Sequence, residues 1–232
     1  MSVKGNLVED IAHKKRDKLI RVVLERWAVR RSELELLAEQ SLVRADDPDW
    51  PWSGFILSFA TMGGSDNWIN RIEPRKSDYS WQRVCQMSAS ERAQAAHELA
   101  NPRRRHIVIP AFEACFQKFQ FSGGPSGVRS EYLTYSTARE RIAFLRSFQG
   151  IGDKYSRNIP MDIYDPLVRN HFAIDHRIKK IFEIINGHVP RYRFAEEWLN
   201  QLARDVGINA WYFDRLLYND YDAILHALEH ER

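Results

Sequence analysis

Phe148-Gln149-Gly150-Ile151-Gly152-Asp153-Lys154, followed after a spacer by His171-Phe172-Ala173-Ile174-Asp175-His176-Arg177-Ile178, is the stretch that organises the chain. Upstream, Ile142, Leu145 and Phe148 recur at helical spacing behind a start at Ser136 or Thr137. Downstream, Ile178, Ile181, Phe182 and Ile185 make the cleanest apolar stripe in the sequence, ended by Gly187. Glycines one residue apart between two helices allow backbone angles and close approaches that side chains forbid. A Gly-x-Gly turn opening a helix aims N–H groups and a helix N-terminus at one spot, which suits a phosphate. Pro160 is expected to cut the second helix of the pair short.

On these residues the chain resembles the helix-hairpin-helix DNA glycosylases, the superfamily of endonuclease III and the 8-oxoguanine glycosylases. That superfamily carries a Leu-Pro-Gly-Val-Gly-x-Lys-like hairpin and then Val-Asp or Ile-Asp entering a helix. Gly150-Ile151-Gly152-Asp153-Lys154 and Ala173-Ile174-Asp175-His176-Arg177-Ile178 fill those places. Phe148-Gln149 stands where Leu-Pro is usual, Tyr155-Ser156 replaces a small residue and Ala, and the spacer is slightly long.

The resemblance implies an all-α protein of two helical lobes, with the helix-hairpin-helix beside an interlobe active-site cleft. Residues 50–160 would form a helical barrel lobe ending in the hairpin. Residues 161–232 would form the C-terminal lobe carrying the Asp, with the N-terminal helices of 1–49 packing on it. It implies a base-excision-repair glycosylase with lyase activity, taking an oxidised purine such as 8-oxoguanine from damaged duplex DNA through a lysine Schiff base. Lys154 and Asp175 would be the catalytic pair.

Gly150, Ile151 and Gly152 would grip DNA phosphate, and His176 and Arg177 would meet DNA beside the Asp. Met62-Gly63-Gly64 would lie against the minor groove, with Met62 wedged into the stack, an unbranched chain suited to a gap between bases. No cofactor is implied beyond an alkali ion that hairpin carbonyls could hold. The protein is expected to act as an intracellular monomer.

The residues also admit plainer roles. Asp175 can be an ordinary helix N-cap. Lys154 can be a phosphate contact, and Met62 part of a packing corner. Phe144, Phe148, Trp211, Tyr212 and Phe213 could stack a flipped base or simply fill cores. The competing function is a non-catalytic helix-hairpin-helix module that only grips DNA; glycosylases for oxidised pyrimidines or alkylated bases are further alternatives. A helical interaction protein without a nucleic-acid role is a third class.

Composition limits these choices. With 232 residues the chain can bury a sizeable core. No apolar run reaches membrane-spanning length, and Met1-Ser2-Val3-Lys4-Gly5 lacks the core of a secretion signal. Cys85 and Cys115 cannot supply a four-cysteine cluster, which excludes the iron–sulfur cluster of some glycosylases; no HxxxH or CxxC spacing suggests a catalytic metal. Net charge is only +3, but Lys14–Arg31 holds eight basic residues against two acidic, and 139–180 nine against five. Arg103-Arg104-Arg105 adds a third basic focus, and such patches suit a phosphate backbone.

Elsewhere the pattern predicts helices throughout. Leu7, Ile11, Ile20, Val23, Leu24 and Trp27 fit a long amphipathic N-terminal helix, and Ser32 with Glu35 reads as a capping box opening another. Residues 45–53 read as a linker, 65–72 as a helix capped by Ser65 or Asp66, and 121–128 as a flexible loop. Ser88-Glu91 and Asn209 read as helix starts, Gly207 as a stop, and Asp220 or Tyr221 as the start of a last short helix.

Overall fold

The computed structural model describes residues 3–230, with side chains from residue 12 onward. Leu7 and Ile11, expected on the apolar face of the first helix, and the opening residues read for a secretion signal therefore lie outside the described side chains. Among the described residues the chain forms α-helices and no strand. They are α1 (Val3–Arg44), α2 (Trp52–Thr61), α3 (Trp81–Cys85), α4 (Ala89–Leu99), α5 (Arg105–Phe121) and α6 (Gly124–Thr134). They continue as α7 (Ala138–Arg146), α8 (Tyr155–Met161), α9 (His176–Asn186), α10 (Tyr192–Val206), α11 (Ala210–Asn219) and α12 (Tyr221–Glu229). No described helix is long and apolar enough to cross a membrane.

Two compact units emerge, Met1–Gln40 with Arg169–Arg232, and Ser41–Val168. Their limits lie at 40/41 and 168/169, beside the 49/50 and 160/161 read from the sequence. The first unit packs Leu19, Val23 and Leu34 of α1 with the apolar faces of α9 to α12, including Ile178, Phe182, Leu199 and Phe213. The second is an aromatic core: Trp52, Phe55, Phe59, Phe112, Phe119 and Phe148 are all buried. Truncating one such ring to Ala typically costs about 3–5 kcal/mol.

Many helix ends follow the sequence. Ser88–Glu91 and Thr137–Glu140 form complete capping boxes, and Asn209 accepts the Trp211 N–H at 2.9 Å. Gly187 and Gly207 close α9 and α10 in the left-handed conformation that a Cβ disfavours.

Four local expectations are corrected. Ser32 starts nothing: α1 runs through it, because no Gly or Pro intervenes and Glu35 pairs with Arg31 rather than reaching back to Ser32. The supposed linker ends in the core, where Trp50 and Trp52 are buried and the Trp52 indole donates to the Tyr79 carbonyl at 2.9 Å. Neither Ser65 nor Asp66 caps a regular helix; Trp68–Ile72 is one wide π turn followed by 3-10 turns over Glu73–Tyr79. Residues 121–128 are no loop. Pro125 sits in the first turn of α6, Val128 and Tyr132 are buried, and a Cβ at Gly127 would lie 1.6 Å from the Ser122 carbonyl oxygen.

Candidate functional site

The helix-turn-helix around Gly150 is built from the core outward. Phe148 closes the end of α7, with its ring centroid 4.9 Å from Phe55 and 5.5 Å from Phe119, and the Lys118 ammonium sits over it at 3.9 Å. Gly150 then turns with φ +82, where an added Cβ would stand 2.8 Å from the Ala111 Cβ and 3.2 Å from Phe59. Conformation and space both demand glycine here. Ile151 is buried and donates its N–H to the Phe148 carbonyl.

Beyond Ile151 the chain comes to the surface. The N–H groups of Gly152, Asp153, Lys154 and Tyr155 have no acceptor among the described residues. Four unsatisfied donors at a turn are what an anion can bridge. The Asp153 carboxylate lies 3.0 Å from Arg146 and 3.6 Å from Arg157. Lys154 is half-buried at the head of α8, its ammonium 4.9 Å from the Tyr155 ring centroid. Pro160 lies in the last turn of α8, which ends at Met161 as expected.

Behind α8, a buried cluster holds the connection. Asp165 accepts from the Tyr132 hydroxyl at 2.7 Å and from Arg141 at 2.5 Å, and its other oxygen takes the N–H groups of Leu167 and Val168. Burial and the adjacent Asp165 charge push the Tyr132 phenol well above its usual range. The carboxylate thereby ties α6 and α7 to the chain leaving α8.

Asp175 is placed differently. Residues 171–175 are not helical, and side chains bind their backbone. Glu196 accepts from His171 at 3.0 Å and from the Phe172 N–H, and buried Asp214 takes the Ala173 N–H at 2.9 Å. The Tyr192 hydroxyl donates to the Phe172 carbonyl at 2.7 Å and receives the Ile174 N–H at 3.1 Å. Asp175 itself caps α9, one carboxylate oxygen accepting from Arg177 and Ile178 at 2.9 and 3.1 Å. The cap role is therefore filled.

His176 is exposed. Arg177 folds back, donating to the Tyr218 carbonyl and lying 4.6 Å from the Tyr218 ring centroid and 5.8 Å from that of Tyr221. Met62 is half-buried against the core, and Gly63 and Gly64 are exposed with φ +100 and +137. Gly63 lies close to Asn101 and Arg104, so one of the basic foci borders this turn. Asn67 holds the turn from below, donating to the carbonyls of Ala60 and Leu99 at 3.1 and 2.7 Å.

Among the aromatic stacking candidates, Phe144 and Phe148 are buried in one core and Phe213 in the other, Trp211 is buried, and Tyr212 rests on Trp27 and Trp211. Tyr192, Glu196 and Asp214 were not foreseen from the sequence. Nothing in their spacing announces them, because each is needed by a backbone group distant in the chain.

No family model and no curated protein matches the sequence. The fold is nevertheless similar to the crystal structure of the 8-oxoguanine DNA glycosylase of Thermotoga maritima. The TM-score is 0.68 at 13% identity, over 88% of this chain and 95% of that one.

Proposed function

We propose that the protein is a DNA glycosylase with an associated lyase activity, removing an oxidised purine such as 8-oxoguanine from duplex DNA. The observation that carries this is that Lys154 stands within the run Gly152 to Tyr155, whose four N–H groups have no acceptor among the described residues, on a turn anchored by Phe148 and Gly150. The donors would hold a strand phosphate and the lysine would face the adjoining sugar. The fold it shares with a glycosylase supports the choice of reaction.

In the proposed reaction the neutral Lys154 amine attacks C1′, and the electron pair of the N-glycosidic bond leaves with the base. The amine nitrogen then loses its proton, the C1′–O4′ bond breaks with the ring oxygen taking a proton, and the Schiff base so formed acidifies the C2′ hydrogen. Removal of that proton breaks the C3′–O bond by β-elimination, the 3′ strand leaving on its phosphate oxygen. Asp175 would stabilise the positive charge that develops at the sugar. Its capping bonds to Arg177 and Ile178 would fix the carboxylate for that task.

Duplexes each holding one lesion test this directly. Excision and nicking are expected to be strongest for an oxidised purine; preference for 3-methyladenine over 8-oxoguanine would overturn the substrate assignment. Binding is expected to weaken by roughly 10³-fold or more between about 50 and 200 mM salt if about six phosphates are met.

One observation favours the grip-only module instead: Asp175 makes two ordinary capping bonds, which need no catalytic purpose. Such a module would bind damaged and intact duplexes equally and nick neither.

A further inference from the structure

The two sides of α1 differ in a way that its own unit does not explain. Leu19, Val23, Leu34 and Ala38 are buried on one side. On the opposite side Val22, Val29, Leu36 and Val43 recur at every seventh residue and so make one apolar line along the helix. Val22 is half-buried, whereas Val29 is 79% exposed, Leu36 54% and Val43 73%. One exposed apolar residue needs no explanation. A line of them repeating at seven is the seam that another helix covers.

Charge along the same helix says which helix that is. Lys14–Arg31 holds eight basic residues against two acidic, whereas 32–43 holds Glu33, Glu35 and Glu39 and no basic residue. A parallel copy would set basic half against basic half. An antiparallel copy sets each basic half against the acidic half of its mate, so the surface is self-complementary about a two-fold axis. With the axis at Val29, that valine meets its own symmetry mate and Val22 meets Leu36. On the flanks of the seam, Arg21 comes level with Glu39, and Arg26 with Glu33. Arg21, Arg26 and Glu39 have no ion-pair partner among the described residues, and Glu33 is held only by Arg30 at the surface. The overlap from Arg21 to Glu39 covers about 27 Å of helix.

We propose that this face of α1 is a dimerisation surface and that its occupant is the α1 of a second copy, antiparallel, with Val29 on the two-fold axis. A dimer then takes the place of the expected monomer. The inference goes beyond the function proposed above and does not depend on it.

Sedimentation velocity on the full chain across the micromolar range tests it. Wild type is expected to convert from monomer to dimer as concentration rises, and to dissociate as salt is raised, because the flanking ion pairs are exposed. Val29→Glu sets two like charges together on the axis and is expected to weaken the dimer at least about tenfold. Its thermal stability should match that of the wild-type monomer, since Val29 is largely exposed, which separates loss of the dimer from loss of the fold. Arg21→Glu and Glu39→Arg are each expected to weaken the dimer about fivefold, because each acts at two symmetric pairs. Combined in one chain they should restore wild-type affinity, as only the antiparallel register brings these two positions together. A wild type that stays monomeric throughout would overturn the proposal; weaker binding of an undamaged duplex by Val29→Glu would then give the seam to DNA instead. A dimer untouched by Val29→Glu, or a double variant no tighter than the single ones, would overturn it as well.

Discussion

The hairpin at Gly150 and the segment at Asp175 solve opposite problems. At the hairpin, apolar packing fixes the backbone and leaves the polar groups open: Phe148, Gly150 and Ile151 are held by the aromatic core, and the N–H groups from Gly152 to Tyr155 meet no acceptor among the described residues. At 171–175 the polar groups do the fixing. Glu196, Asp214 and Tyr192 satisfy consecutive backbone N–H groups, and Asp175 satisfies two more. An anion is welcomed where donors are left over, whereas a carboxylate is held rigid where donors are consumed. The contrast suits a protein that must grip a phosphate with one element and present a fixed negative charge with the other.

The largest effect that would sharpen this contrast is expected from Asp175→Asn. Asparagine can still cap α9, so thermal stability should stay close to wild type while base excision falls by roughly 10²–10³-fold. Wild-type excision in that variant would reduce Asp175 to its cap. Next come the two glycines of the hairpin. Gly150→Ala should lose about 1–3 kcal/mol in chemical denaturation, because the new methyl group meets Ala111 and the backbone is left-handed. Gly152→Ala has no atom within 4 Å of the new methyl group, so it should be neutral or gain up to about 1 kcal/mol. Equal losses at both positions would show that packing does not set the turn.

Smaller is the expected effect of Tyr192→Phe, which removes the hydroxyl bridging Phe172 and Ile174. A loss of about 1 kcal/mol is predicted, with excision slowed because Asp175 is less firmly placed; unchanged excision would mean that the bridge supports only the fold. The smallest effect belongs to α5, which backs Gly150 through Ala111. Its Glu113 is held below the usual carboxylate range by its hydrogen bonds to Arg92, despite partial burial. A depressed folded-state pKa gives stability that is present above the unfolded value and lost as pH falls through the folded one. Glu113→Gln should therefore flatten the acid limb of the stability profile. Solvent screening at this partly exposed pair limits the difference to about 0.5 kcal/mol or less. An acid limb identical to wild type would show that the pair contributes nothing.

Local rules explain what was legible in the sequence. Ser88, Thr137, Asn209, Gly187 and Gly207 mark helix ends because each acts on backbone groups a few residues away. The all-α class follows from the same periodicity, and the turn was readable because the conformation at Gly150 requires glycine. What escaped depends on distant partners. Ser32 has the form of a cap, yet an uninterrupted α1 carries through it. The Gly-rich 121–128 segment reads as a loop until Pro125 is taken as a helix start, with Val128 and Tyr132 one turn apart on the buried face. Trp50 and Trp52 looked like linker residues because two prolines surround them, but their burial is set by the core that closes over them. Asp214 and Glu196 had no signal, since the N–H groups they satisfy lie 41 and 24 residues away.

The most direct measurement is borohydride trapping on a duplex with a single abasic site, comparing wild type with Lys154→Gln. Reduction converts the Schiff base into a stable covalent link, so the readout reports the amine itself rather than binding. Wild type is predicted to be trapped and to nick the strand. Lys154→Gln should bind the same duplex with at most a several-fold loss from one phosphate contact, yet neither trap nor nick. Trapping of the glutamine variant at the wild-type level would assign the nucleophile to another amine and contradict the role given to Lys154.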